Sequence, residues 1–183
     1  MAEFDEEREW IRQSERGDHE AFESLIRRHQ RMIHSLTFRM TGSLADAEDL
    51  AQETFIKAFQ QLAGYRGESK FSSWLYRIAM NLCLNWKARQ ERRQRLHSDW
   101  AQHQEGEAGL DSGRTQQIQN ALLKLNPKQR AAMVLTTYDG LNHAEAARIL
   151  GCSETTVSWR VFAARAKLKK LLAGLKQEER PRE

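Results

Sequence analysis

The chain has 183 residues, enough for one large domain or two small ones with real hydrophobic cores. At 40% hydrophobic and 30% charged residues it falls in the ordered, water-soluble class. No apolar run approaches the roughly 18 residues that span a bilayer, which excludes membrane insertion as a reading.

The formal net charge of +4 is unevenly placed. Residues 1–93 carry 15 Lys and Arg against 15 Asp and Glu, residues 94–113 carry 1 against 4, and residues 114–183 carry 13 against 6. A neutral first part, an acidic strip and a basic last part imply two domains and a linker, with an anionic partner for the last. The start, MAEFDEEREW, has no apolar secretory core, so a cytoplasmic setting is expected. Cys83 and Cys152 form no C-x-x-C pair and read as reduced thiols. The six histidines lack metal-ligand spacing with cysteine, so neither a metal nor a cofactor is expected.

Plentiful Ala, Leu, Glu, Arg and Gln, with only two prolines, predict an all-α protein. Residues 5–16 form a polar first helix around Trp10 and Ile11, stopped by Gly17, and Asp18 is placed to cap the next. Helix 19–41 puts Phe22, Leu25, Ile26, Met32, Ile33, Leu36 and Met40 on a core stripe. Ser43 reads as the N-cap of a helix over 43–63, with the Asp46 carboxylate in position to reach back and Gly64 to end it. Its apolar face is Ala47, Leu50, Ala51, Phe55, Ala58, Phe59 and Leu62. Beside that face stand Asp46, Glu48, Asp49, Gln52 and Glu53. Such a patch either solubilises the helix or meets a basic protein surface, since it repels DNA.

A loop, YRGESKF, leads to a helix from about Ser72 to Arg93. Leu75, Ile78, Ala79, Leu82 and Trp86 face its core, while Arg77, Asn81, Asn85, Arg89 and Arg93 recur at steps of four as a ridge of hydrogen-bond donors. Tyr65, Phe71, Trp74 and Tyr76 precede or flank the ridge. Aromatics beside a basic ridge are the composition of a single-strand platform, while Phe71 and Trp74 taken singly read more readily as core packing. Residues 95–115, polar, acidic and glycine-containing, read as a tether.

Helices follow at about 115–125, 127–138, 143–150 and 153–173, with Asn126, Asn142 and Ser153 as caps and Glu145 completing a capping box. The turn Gly151-Cys152-Ser153 is short enough for a helix-turn-helix. On the last helix Val157, Val161, Ala164 and Leu168 form the core arc. The opposite arc holds Thr155, Trp159, Phe162 and Ala163, flanked by Arg160 and Arg165. That arc is suited to a major groove, or else its aromatics bury against a further helix.

Three stretches in order, DAEDLAQETFIKAF (46–59), YRGESKFSSWLYRIAMN (65–81) and SETTVSWRVFAARAKL (153–168), resemble the bacterial RNA polymerase sigma factors of the extracytoplasmic-function (ECF, group IV) class. The resemblance covers about residues 18–173. It implies a region 2 helical bundle over 1–94, an acidic linker over 95–114, and a region 4 helix-turn-helix domain over 115–183. It implies a protein that is not an enzyme. Its partners would be core RNA polymerase, through the clamp helices of the largest subunit and the flap of the second-largest, promoter DNA in duplex and single-stranded form, and an anti-sigma factor. Carried over residue by residue, Asp49, Gln52 and Glu53 would contact polymerase. Tyr65, Arg66, Ser69, Lys70, Phe71, Trp74, Arg77, Asn81, Asn85, Arg89 and Arg93 would hold the melted minus-ten element, with a flipped base in a pocket. Thr155, Thr156, Ser158, Trp159, Arg160, Phe162 and Arg165 would read the minus-thirty-five element. The family usually has basic residues at the positions of Ser158 and Ala163, and a serine at that of Trp159, so a different or more apolar-contacted sequence is expected. The rival reading is a stand-alone helix-turn-helix regulator with an N-terminal helical sensor or dimerisation domain.

Overall fold

The computed structural model describes residues 2–96 and 113–178. The body of the tether, 97–112, lies outside the described residues, as do the last five positions. Among the described residues all regular structure is helical.

The first domain contains α1 (Ala2–Glu15), α2 (His19–Thr41), α3 (Leu44–Gln61) and α4 (Phe71–Leu96). Local chemistry sets their starts. Asp18 Oδ1 accepts from the backbone N–H groups of Glu20 and Ala21, and the Ser43 hydroxyl accepts from Asp46 N–H. Gly42, with φ of 77°, ends α2 in the left-handed region. Gly64 does not end α3 that way. A 3-10 turn over Leu62–Gly64 tightens the exit instead, with Tyr65 N–H donating to Leu62 O.

Leu25, Ile33, Leu36, Ala47, Ala58, Leu75 and Ala79 are fully enclosed between these helices. Thr37 sits among them, and its Oγ1, 2.9 Å from Ala47 O, links α2 to α3. Helix α1 is held to α2 by Ile11 and by a polar contact, with His29 Nε2 lying 2.7 Å from Glu7 Oε1. Burial lowers the His29 pKa, and Glu7 opposes this. Cys83, 1% exposed on α4, has its thiol pushed up to about 12 by the same desolvation.

The second domain contains α5 (Gly113–Leu123), α6 (Pro127–Met133), α7 (His143–Leu150) and α8 (Glu154–Glu178). Asn126 caps α6 with Pro127 in its first turn, and Asn142 and Glu145 form a complete capping box on α7. Sequence periodicity reads 127–138 as one helix. Its last five residues, Val134–Tyr138, adopt the wider π form, with Asp139 N–H donating to Val134 O.

The two domains are seated on one another where α7 packs on α4, with a shared apolar core, and at the C-terminal turn of α2. Arg130, only 2% exposed, donates from Nη1 to Met40 O at 2.5 Å and from Nε to Leu122 O at 2.9 Å. Its Nη2 reaches Leu123 O and Leu125 O. One guanidinium thus meets the carbonyl ends of both α2 and α5, where the helix dipoles favour a cation. Its pKa is pulled down by burial to about 10, so it is still charged at neutral pH. Gln119 Nε2 donates to Phe38 O at 3.0 Å. The Arg39 guanidinium lies 4.6 Å from the Tyr138 ring and 4.0 Å from Asp139 Oδ1. Leu123 presses on Gly42 so closely that a Cβ there would come within 2.4 Å of Leu123 Cδ1.

Candidate polymerase and promoter surfaces

The acidic face of α3 is open to solvent at Asp49 and Gln52 and half open at Glu53, which pairs with Lys57 at 3.2 Å. Asp46 departs from its expected capping role. It does not reach back to Ser43; its Oδ1 accepts from Trp86 Nε1 at 3.3 Å, because α4 lies alongside. Beside this face, α2 and α3 frame a cavity of about 630 Å³ lined by Ile26, Arg31, His34, Gln52 and Phe55. Arg31 and His34 escaped the sequence reading, since they belong to a helix identified only by its apolar stripe.

The ridge is real as geometry. Arg77, Asn81, Asn85, Arg89 and Arg93 are all exposed on α4, and among the described residues none of these arginines pairs with a carboxylate. At its head, Tyr65, Phe71 and Trp74 form one aromatic cluster with ring centroids 5.2–5.5 Å apart. The Tyr65 hydroxyl donates to Ser69 O at 2.5 Å and closes the loop on itself, with Arg66 and Lys70 pointing to solvent.

Phe71 requires correction as a base-contacting residue. It is 2% exposed, the first residue of α4, enclosed by His29, Tyr65 and Trp74, and presents no free ring face. Tyr76 is likewise core, at 6%. Tyr65 and Trp74 remain half-exposed. Between the loop and α1 lies a cavity of about 760 Å³ lined by Arg8, Arg12, Tyr65, Arg66 and Lys70. Helix α1 supplies its second wall, which no motif in the sequence announced.

On α8 the structure decides between the two readings of the outer arc. Trp159 is 65% and Phe162 72% exposed, while Val157, Val161 and Ala164 are buried beneath them. The aromatics are not core. Thr155, Ser158 and Arg165 are exposed on the same outer side. Thr156 is partly committed to the turn, since the Ser153 hydroxyl accepts from its N–H and lies 2.8 Å from its Oγ1. Arg160 is half-buried and its Nη1 donates to Cys152 Sγ at 3.4 Å, which fixes the guanidinium against the turn.

The family model for Sigma-70 region 2 matches residues 25–93, and that for Sigma-70 region 4 matches residues 115–168. The chain is an ECF RNA polymerase sigma factor.

Its curated relatives include the ECF RNA polymerase sigma factor SigM of Mycobacterium tuberculosis, 36% identical over 87% of this chain and 81% of that one. The RNA polymerase sigma-H factor of Pseudomonas aeruginosa is 30% identical over 95% and 97%. Two solved structures resemble this sigma factor. One is the sigma factor RpoE of Bartonella quintana in complex with the anti-sigma factor NepR, with 27% identity, 83% and 96% coverage and a TM-score of 0.66. The other is CnrH in complex with the cytosolic domain of CnrY, with 28% identity, 92% and 98% coverage and a TM-score of 0.69. Among the described residues no helix of this sigma factor is long and apolar enough to cross a membrane, and no group of three His, Cys, Asp or Glu side chains is placed to hold a metal.

Proposed function

We propose that this sigma factor binds core RNA polymerase through Asp49, Gln52 and Glu53, directs it to promoters, and helps to melt them, without itself catalysing a reaction. The observation that carries the reading is the separation of charge by surface. An acidic helix face, a cationic single-strand ridge with half-exposed aromatics at its head, and an aromatic, arginine-flanked reader helix stand on α3, α4 and α8 respectively. The first suits a basic protein, the second unpaired bases and phosphates, the third a duplex groove.

Tyr65 and Trp74 stack on bases of the melted minus-ten strand. Arg66, Ser69, Lys70, Arg77, Asn81, Asn85, Arg89 and Arg93 hold its backbone and edges. Trp159 and Phe162 pack on thymine methyl groups of the minus-thirty-five duplex, with Thr155 and Ser158 at base edges and Arg160 and Arg165 on the phosphates. The clamp helices and the flap of polymerase are the docking partners. A solved relative held by an anti-sigma factor supports control of this chain by a partner of that kind. Run-off transcription with purified core enzyme tests the proposal: promoter-specific transcripts are expected only when the chain is added. A stable dimer on palindromic duplex without polymerase would instead favour a stand-alone regulator.

A further inference from the structure

We infer that α1 belongs to the promoter-binding surface, and that the cavity it forms with the loop over residues 65–70 takes one unpaired nucleotide whose base edge is read by Arg8. The inference rests on the proposal that this loop and the α4 ridge hold the melted strand, and adds a further helix to that surface.

The loop has two sides. On one it lines a cavity of about 470 Å³ with Trp74 and Arg77, at the head of the ridge. On the other it lines the cavity of about 760 Å³ against α1. Glu68, Ser69 and Lys70 border both, so the loop stands between them as a septum. A strand that lies along Arg77 and Trp74 and continues past the loop meets α1 next. The volume falls in the range of about 300–1,000 Å³ that holds small ligands, and a single nucleotide is of that class. Every residue lining the α1 cavity belongs to the first domain.

The lining has the parts a nucleotide needs. Ile11 and Phe71, 8% and 2% exposed, supply an apolar floor, and half-exposed Tyr65 stands beside them. Arg8 and Arg12 lie one turn apart on α1, Arg66 and Lys70 lie on the loop, and all four are exposed. Among the described residues Arg8, Arg66 and Lys70 have no carboxylate partner, and Arg12 has an exposed pair with Glu9 at 2.8 Å. Three carboxylates share the lining. Glu7 is committed, with Oε1 2.7 Å from His29 Nε2 and 3.6 Å from Arg28 Nε. Glu15 and Glu68 are exposed; they repel phosphate on their own side, and each can accept from a base amino group. Unpaired cations over an apolar floor suit an anion that carries a flat ring. A guanidinium in that place offers a planar fork to adjacent acceptors on a base edge.

Helix α1 is fixed for this role. Ile11 is part of the core, the Arg28 guanidinium lies 5.9 Å from the Trp10 ring, and Glu7 reaches His29 of α2. The His29 ring in turn lies 5.5 Å from that of Phe71, centroid to centroid, at the end of the loop. One residue of α2 thus touches both walls and sets the distance between them. Burial raises the Tyr65 pKa, Glu7 adds to the rise and Arg8 opposes it, so the charges of α1 act across the gap on the ring of the loop.

The test uses the full chain with core polymerase and a promoter whose minus-ten segment is left single-stranded and varied one base at a time, read by competition binding. The wild type is expected to show a base preference at one position that Arg8→Ala abolishes, with affinity for the preferred sequence falling about tenfold. Arg8→Lys, which keeps the charge and loses the fork, is expected to retain most of the affinity and still lose the preference. Both variants should match the wild type in capture on core polymerase and in binding of minus-thirty-five duplex. An unchanged preference in Arg8→Ala, or a uniform weakening on every sequence, overturns the base-reading role. A fall in core capture assigns the cavity to a protein and overturns it equally. A wild type that binds no such promoter with polymerase sinks the proposed function and this inference together, whereas a silent Arg8→Ala leaves the function standing, so the two failures are distinguishable.

Discussion

Trp86 of α4 and Asp46 of α3 are joined by a hydrogen bond of 3.3 Å from indole Nε1 to carboxylate Oδ1, across 40 residues of sequence. The bond ties the acidic face proposed for polymerase to the helix that carries the cationic ridge. Trp86→Phe keeps the ring packing and removes the donor. The expected loss is about 1 kcal/mol in urea unfolding, with the helical signal of the native state unchanged.

Reversal of the exposed acids separates docking from folding. Asp49→Arg with Glu53→Arg is expected to reduce capture on core polymerase at least tenfold while the thermal midpoint moves little. Asp49 is exposed, and Glu53 gives up only a surface pair with Lys57. Capture at the wild-type level would remove this face from the polymerase contact.

On α8, affinity and salt dependence should part company. Trp159→Ala removes an exposed apolar surface and is expected to weaken binding to the preferred duplex with the salt slope intact. Arg165→Ala is expected to weaken binding to all sequences and to lower the slope by about 0.9, the value of one phosphate. Arg160→Ala is expected to do the same and to lower the thermal midpoint as well, because its guanidinium also braces Cys152.

Helix starts were readable from the chain because capping is local. Asp18, Ser43, Asn126 and Asn142 each satisfy N–H groups two or three residues away. The core arc of α8 was readable for the same reason, since Val157, Val161 and Ala164 repeat within one helix. Contacts made across the chain were not. Phe71 borders a polar loop and shares its stretch with half-exposed Tyr65 and Trp74, so the sequence leaves both a core and a base-contacting role open to it and only the packing of α4 on its neighbours decides. Arg130 sits in the polar run PKQR and reads as a solvated charge, yet its partners include a carbonyl 90 residues away. The π turn had no signal, since VLTTY continues a helical pattern.

Acidification should favour the closed form, in which the two domains are seated on one another, over an open form in which they stand apart. Burial raises the Asp139 pKa to about 6 in the closed form, against the pull of Arg39, whereas an exposed aspartate titrates near 3.8. The closed form therefore takes up a proton that the open form does not. At pH 7 the group is ionised in both, and the preference for closure gained by protonation is absent. It appears as pH falls through 6 and is complete below 3.8. The closed-to-open ratio is expected to rise about tenfold between pH 7 and pH 5. Arg39 and Tyr76 face this carboxylate, and burial pushes the Tyr76 hydroxyl further above its ordinary range. Asp139→Asn, which is neutral throughout, should flatten the response. A variant as pH-sensitive as wild type would assign the effect elsewhere.

The enclosure of Cys83 makes that thiol a chronometer. Its sulfur is shut inside the first domain and is almost wholly protonated at neutral pH, so alkylating reagents reach it only after the α2–α4 bundle comes apart. Cys152, at the lip of the turn, should react on a faster clock. The ratio of the two labelling rates would distinguish domains that swing apart intact from a bundle that melts, in one reaction tube and without any added probe.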